Sequence, residues 1–287
     1  MKIIHDPQTM VRWSDGLRRE GVTIGFVPTM GALHAGHRAL IRSARLRCDA
    51  LVVSIFVNPT QFGPTEDLAT YPRPIARDRA CCREEGVDVC FEPSVDAMYP
   101  AGFQTTVEVP AVARRWEGEI RPHHFAGVAT VVAKLFGIVR PHVALFGQKD
   151  YQQAALVRRM VQDLSLGVRI VVRPTVRERD GLAMSSRNVY LTPGERVVAP
   201  VLYRSLRAGA DAIRQGVQDV GAVQAAMSKL VRQEPEVSVD YLAVCDPQTL
   251  EPLPSVTARS VLLGAVRLGS VRLIDNLVAT LPAKRIS

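Results

Sequence analysis

Apolar positions along this 287-residue chain follow two alternating rhythms. Short continuous runs of β-branched and apolar residues at 22–27, 51–57, 87–91, 143–146 and 168–172 read as strands covered on both faces. Between them, apolar residues recur at helical spacing over 9–20, 36–48, 74–85, 124–139 and 151–164. Strand and helix alternating in this way predict an α/β fold, a Rossmann-like doubly wound parallel sheet. Ligands in such sheets sit beyond the carboxyl ends of the strands. Residues 93–122 break the rhythm with Pro93, Pro100, Pro110 and Pro122, and allow one short strand over 105–109. From Val176 the texture changes to two helices, 193–215 and 217–233, and three strands, 238–244, 260–266 and 271–274. The expected organisation is a Rossmann-like nucleotide- and substrate-binding domain over 1–175 and a smaller C-terminal α+β lid domain over 176–287.

The totals narrow the class. Hydrophobic residues make up 47% of the chain, enough for a large core, yet no apolar run reaches the ~18 residues a membrane span needs. The N-terminus turns polar at His5-Asp6, too early for a signal peptide. Five cysteines, two of them adjacent and none in a Cys-x-x-Cys pair, fit reduced thiols and a cytoplasmic location better than a disulfide framework or a zinc site. The formal charge of +8 favours anionic partners. The arginines are spread along the chain without a dense basic run or interleaved aromatics, so nucleic acid is not expected. A nucleoside triphosphate or a carboxylate fits the same charge.

Four loops carry candidate chemistry. The first is Val27-Pro28-Thr29-Met30-Gly31-Ala32-Leu33-His34-Ala35-Gly36-His37, in which a strand expected to end at Pro28 gives way to a glycine-containing loop and then a helix. Unpaired N–H groups at a helix start suit phosphate, and the His-x-Gly-His pair adds imidazole donors. The second is Asn58-Pro59-Thr60-Gln61-Phe62, which is either ordinary turn chemistry or a pair of neutral amide donors for a carboxylate or hydroxyl. The third is Gly147-Gln148-Lys149-Asp150. Lys149 there suits phosphate and Asp150 a ribose hydroxyl, but Asp150 and Gln153 also have the spacing of a helix-capping box. The fourth is Met184-Ser185-Ser186-Arg187, two hydroxyls and a guanidinium after a glycine, which is ordinary surface sequence or a phosphate clamp.

Taken together, an early His-x-Gly-His loop and a late serine-rich basic loop have the layout of adenylate-forming nucleotidyltransferases. In that reaction class a carboxylate attacks the α-phosphorus of ATP, and preorganised donors lower the barrier by meeting charge on the phosphate oxygens. Two rivals stand beside it. A nucleotidyltransferase acting on a phosphate ester would need a cationic pocket where Gln61 and Gln153 stand. An RNA-binding module would need a basic face.

The resemblance is closer than a superfamily. The histidine loop, Ile55-Phe56-Val57-Asn58-Pro59-Thr60-Gln61-Phe62, Tyr71-Pro72-Arg73, Phe146-Gly147-Gln148-Lys149-Asp150-Tyr151-Gln152-Gln153 and Asp180-Gly181-Leu182-Ala183-Met184-Ser185-Ser186-Arg187-Asn188 together resemble the pantoate–β-alanine ligase family, in order, through almost the whole chain. The resemblance implies condensation of (R)-pantoate with β-alanine through a pantoyl adenylate, with release of pyrophosphate and AMP. It implies that Met30, Gly31, Ala32, Leu33, His34, Ala35, Gly36 and His37 bind ATP, with His34, His37 and Lys149 as the catalytic set. Gly147, Gln148, Lys149, Asp150, Val176, Met184, Ser185, Ser186 and Arg187 complete the nucleotide site on this view. Gln61, Gln153 and Asn58 take pantoate, and Gln61 also serves β-alanine. Magnesium accompanies the nucleotide with Asp78 beside it, and the chain forms a homodimer. The chain departs from the family pattern at Ala35, Gln148, His123 and Ala126, and these departures leave Arg121 and His124 without an assigned role.

Overall fold

The computed structural model describes residues 1–64 and 66–282. Its contacts divide the chain into two units, Met1–Gln148 with Gln152–Pro174, and Lys149–Tyr151 with Thr175–Ser287. The division falls one residue from the expected 175/176 boundary. The difference is the three-residue excursion of Lys149–Tyr151. Asn276 Nδ2 donates to the Lys149 carbonyl at 2.9 Å and Tyr151 Oη to the Pro247 carbonyl at 2.9 Å, so these residues are tied to the later part of the chain.

The first unit is a six-stranded sheet, parallel throughout, of β1 (Lys2–Ile4), β2 (Ile24–Thr29), β3 (Ala50–Ile55), β4 (Val89–Phe91), β5 (Val143–Gly147) and β6 (Arg169–Arg173) in the order β1-β4-β3-β2-β5-β6. Its longer helices are α1 (Pro7–Arg19), α2 (Ala35–Arg45), α3 (Ile75–Glu84), α4 (His124–Val139) and α5 (Tyr151–Asp163). Successive strands are added on one side from β2 to β4, and the chain then returns to place β5 on the other side of β2. That reversal is the topological switch point, where the carboxyl ends of neighbouring strands leave a crevice. The histidine loop follows β2, and Gly147 ends β5 at the same edge.

Alternation along β2 assigns the faces. Val27 packs with Ile41 and Ala44 of α2 and Cys82 of α3, whereas Phe26 meets Phe136 of α4 edge to face at 6.3 Å. Both faces are therefore covered, which is why the strands read as continuous apolar runs.

The elements differ from expectation at several points. Strand β2 runs on through Pro28 to Thr29. Pairing with β5 stops at Phe26, so no strand on that side calls for the missing proline N–H. Lys2–Ile4, too short to stand out in the sequence, is a strand because it pairs with Val89–Phe91. Residues 105–109 form no strand; Val107 N instead donates to Thr130 Oγ1 of α4 at 2.9 Å.

The second unit packs α6 (Pro193–Val198), α7 (Val201–Arg214) and α8 (Val220–Val231) with an antiparallel sheet of β7 (Val237–Cys245), β8 (Arg259–Leu268) and β9 (Val271–Thr280). The single helix expected over 193–215 is two, because Pro200 lacks the N–H that would continue the first and stands at the N-cap of the second. Leu202, Leu206 and Ile213 of α7 share one core cluster with Leu262, Val266 and Leu273 of the sheet.

One close contact in the first unit bears directly on the site. Helix α4 lies against the 3-10 turn Pro59–Gln61, and a Cβ built on Gly127 would run into the Thr60 carbonyl and reach 2.7 Å from Gln61 N. Only glycine allows that approach. Gly127→Ala is expected to cost about 2 kcal/mol through overpacking, read as a lower midpoint in urea unfolding.

Candidate active site

The loop after β2 is held by the protein's own hydrogen bonds. Gly31 and Ala32 both have positive φ, 84° and 48°, which turns the backbone sharply out of the strand. Thr29 Oγ1 accepts from Gly31 N at 3.1 Å and donates to the Ser54 carbonyl at 2.7 Å. The two carboxylate oxygens of Asp78 accept from Ala32 N and Leu33 N, each at 2.8 Å. Asp78 is 1% exposed, and burial pushes its carboxyl above the usual range against the pull of those two donors. Asp78 is thus a brace that holds the loop. Each of its oxygens accepts one backbone N–H, a structural task separate from the place beside magnesium that the family resemblance implies.

The two histidines cap α2 with each other's backbone. His34 is the N-cap, and its Nδ1 accepts from Gly36 N at 3.1 Å. His37 Nδ1 accepts from His34 N at 3.3 Å, completing a capping box made of imidazoles. A ring nitrogen that accepts carries no hydrogen, so the neutral tautomer of each ring places its proton on Nε2. The rings lie 4.1 Å apart between centroids. Imidazole N–H donors at a helix start have the chemistry to meet an anion.

Gln61 sits beside this loop. Its Nε2 donates to Met30 Sδ at 2.9 Å, and its Oε1 accepts from Asn58 Nδ2 at 3.2 Å. A thioether is a weak acceptor, which a ligand oxygen can replace with gain. Asn58 supports Gln61. It is 1% exposed; its Nδ2 donates to the Gly127 carbonyl as well as to Gln61, and its Oδ1 accepts from Tyr99 Oη and Thr60 Oγ1. With its amide engaged within the protein, Asn58 holds the Gln61 side chain. Gln152 and Gln153 divide in the same manner. Gln152 is buried and donates to the Val112 and Arg115 carbonyls, while the half-buried Gln153 lies elsewhere around the first turn of α5. Residues Gln148–Asp150 form a 3-10 turn running into α5, so Asp150 lies within the helical run and not at a cap.

The second unit carries the remaining expected residues. Met184 N donates to the Val176 carbonyl and Arg177 bridges to Ala183, so residues 176–184 form a narrow hairpin. Ser185 caps the turn Ser186–Tyr190, its Oγ accepting from Arg187 N at 3.2 Å. Arg177 braces the hairpin through the Gly181 carbonyl and a bidentate pair with the buried Asp275, and it stacks on the Tyr203 ring at 3.9 Å. Burial pushes the Asp275 carboxyl up, opposed by Arg177. The next residue, Asn276, holds the Lys149 carbonyl. A small cleft here is lined by Lys149, Ser185, Asn188, Tyr203, Arg272 and Asp275. Sequence reading passed over Asp275 and Asn276. The available signal was a polar pair in the middle of an apolar strand.

His124 and Arg121, left unassigned from the sequence, both reach the backbone of Gln61. His124 Nδ1 lies 2.9 Å from the Gln61 carbonyl and Arg121 Nη2 lies 3.3 Å from it. Burial, reinforced by Arg121, lowers the His124 pKa to about 4.

Two outcomes follow from these environments. Asp78→Asn leaves one loop N–H facing an amide nitrogen, and about 2 kcal/mol of stability is lost, measurable in urea at pH 7. His124 has a folded pKa near 4 and an unfolded value near 6.5. Its contribution is whole above pH 6.5 and is lost as pH falls towards 4, on the order of 3 kcal/mol in all. His124→Asn removes that slope; unfolding curves at pH 7 and pH 4.5 for both proteins measure it.

Comparison with known proteins gives the family. The family model described as pantoate-beta-alanine ligase matches residues 2–278. A pantothenate synthetase of Desulfatibacillum aliphaticivorans is 50% identical over 97% of this chain and 99% of its own length. One from Agrobacterium fabrum is 54% identical over 91% of this chain and 90% of its own. The crystal structure of pantothenate synthetase from Thermus thermophilus superposes with a TM-score of 0.92 at 50% identity, covering 96% of this chain and 99% of that one. The pantoate-beta-alanine ligase of Francisella tularensis, solved in complex with β-γ ATP and β-alanine, gives 0.80 at 35% identity over 97% of each chain. By the match of the family model over residues 2–278 and by relatives about 50% identical over nearly the whole chain, the chain belongs to the pantoate–β-alanine ligase family.

Proposed function

We propose that this chain catalyses the ATP-dependent condensation of (R)-pantoate with β-alanine. The observation that carries the reading is the hydrogen bond from Gln61 Nε2 to Met30 Sδ, which sets a neutral amide donor against the loop that presents His34 and His37. In the first half-reaction a pantoate carboxylate oxygen attacks the α-phosphorus of ATP, a P–O bond forms, and pyrophosphate leaves. In the second, the free amine of β-alanine attacks the acyl carbon, a C–N bond forms, and the C–O bond to AMP breaks.

The roles follow from chemistry. A carboxylate must approach an anionic triphosphate while it remains nucleophilic. A lysine clamped on that carboxylate would blunt it, whereas Gln61 and Gln153 orient it through uncharged hydrogen bonds. The Nε2–H groups of His34 and His37 donate to phosphate oxygens where charge builds, and the capping box fixes both rings before substrate arrives. Lys149, Ser185 and Arg187 are assigned to the phosphates, and residues 30–37, 147–150, 176 and 184–187 to the nucleotide as a whole. Magnesium enters with the substrate as MgATP and offsets the triphosphate charge; no cluster of three or more metal-ligating side chains occurs among the described residues. A homodimer and a cytoplasmic location complete the proposal. The five free cysteines support the second, and the family resemblance supports both. No described helix is long and apolar enough to cross a membrane.

A pocket for a second phosphate, as in the phosphate-ester enzymes, would need an available cation. Arg121, which reaches the Gln61 carbonyl, is bound bidentately by Glu66.

Incubation with MgATP, pantoate and β-alanine is expected to yield AMP and pantothenate together. AMP formation that ignores pantoate would refute the assignment. His37→Ala is expected to slow pantoate-dependent exchange of pyrophosphate into ATP by about a hundredfold or more, the usual cost of losing one preorganised donor. Pantoate affinity measured by calorimetry should change by less than about threefold in the same variant, or ~0.6 kcal/mol.

A further inference from the structure

The substrate amide of Gln61 is attached to a backbone that is itself gripped. The Gln61 carbonyl receives two side-chain donors from the start of α4 and the residues just before it, His124 Nδ1 at 2.9 Å and Arg121 Nη2 at 3.3 Å. A carbonyl only accepts, so His124 must hold its hydrogen on Nδ1. Arg121 is held in turn. Its Nε donates to Glu66 Oε1 at 2.8 Å and its Nη2 to Glu66 Oε2 at 2.5 Å. The pair is sheltered, with side-chain exposures of 17% and 24%. Burial alone would raise the Glu66 carboxyl, but the Arg121 hydrogen bonds and charge outweigh it and lower it. On the other side of the same turn, Gly127 lets α4 close on Thr60, and Asn58 ties the Gly127 carbonyl to the Gln61 side chain. The backbone and the side chain of Gln61 are thus both referenced to one helix.

We propose that Arg121 and His124 are positioning residues for pantoate, fixing Gln61 through its carbonyl, and that Glu66 holds Arg121 in that task. The proposal rests on the assignment of Gln61 to pantoate. The grip has a chemical purpose beyond rigidity. A neutral amide must be placed accurately to orient a carboxylate, because it has no charge to draw the substrate in from a distance. A free guanidinium at this place would bind the pantoate carboxylate directly. Pairing with Glu66 keeps Arg121 on the protein side, so the fork serves the carbonyl and the pocket stays uncharged.

Steady-state kinetics of six proteins test this: wild type, Gln61→Ala, His124→Ala, His124→Asn, Arg121→Ala and Glu66→Gln. Thermal melts establish that each is folded. Asn presents an amide N–H close to where Nδ1–H stood, so His124→Asn should recover most of what His124→Ala loses. The expected pattern is a rise of about tenfold in the KM for pantoate in His124→Ala and Arg121→Ala, a smaller rise in Glu66→Gln, and a KM for ATP within about twofold of wild type throughout, with tenfold corresponding to ~1.4 kcal/mol. The proposal is overturned if ATP and pantoate KM rise together, if His124→Asn is no better than His124→Ala, or if Glu66→Gln tightens pantoate. The last result would mean that a released Arg121 binds the substrate itself. Should an alanine variant fail to fold, Glu66→Gln and His124→Asn decide by the same criteria. Gln61→Ala separates the two levels. If it leaves the KM for pantoate unchanged, the assignment of Gln61 fails; if it raises that KM while the Arg121 and His124 variants do not, the positioning proposal alone fails.

Discussion

The first unit's candidate site depends on one buried carboxylate. Asp78 lies on α3, more than forty residues beyond the loop it serves, and binds the N–H groups of Ala32 and Leu33. The loop needs that support because Gly31 and Ala32 both take positive φ, and Ala32 does so without the freedom of glycine. An unsupported segment of this kind would sample many conformations, and His34 would not reach the N-cap of α2. Desolvating a carboxylate is costly, and two short charge-assisted hydrogen bonds offset the cost at the place where order is needed.

From that brace the chemistry follows in sequence. A fixed loop sets His34 at the helix start, the capping box fixes both imidazole tautomers, and the tautomers determine that hydrogen is presented from Nε2. Capping thus uses the two Nδ1 atoms and leaves the hydrogens of both neutral rings on Nε2. The neighbouring pocket follows the same economy with neutral groups. Asn58 is engaged with Gln61 and the Gly127 carbonyl, Gln152 with the Val112 carbonyl, and the fork of Arg121 is held by Glu66.

The second unit solves a comparable problem with an ion pair. Arg177 and Asp275, almost a hundred residues apart, close the hairpin that leads to Met184–Arg187, with the Tyr203 ring stacked on the guanidinium. Asn276 extends the arrangement to the Lys149 carbonyl. A pair of residues in the middle of β9 thereby supports two segments that the sequence presents as separate motifs.

The sequence by itself determined the strand–helix alternation, the α4 limits at His124–Val139, the loop that carries His34 and His37, and the family. These are local or cumulative signals: apolar periodicity, glycine placement, and long motifs that survive in order. Only the tertiary structure decided which polar residues are supports. Asp78 as a loop brace, Asn58 holding Gln61, Pro28 inside a strand, Lys2–Ile4 as a strand and the Arg121–His124 grip all depend on partners far along the chain. A hydrogen-bonding side chain has the same appearance in sequence whether it faces a ligand or a distant backbone amide. Its role is set by which of the two the fold brings within about 3 Å, and that distance exists only once the chain has folded.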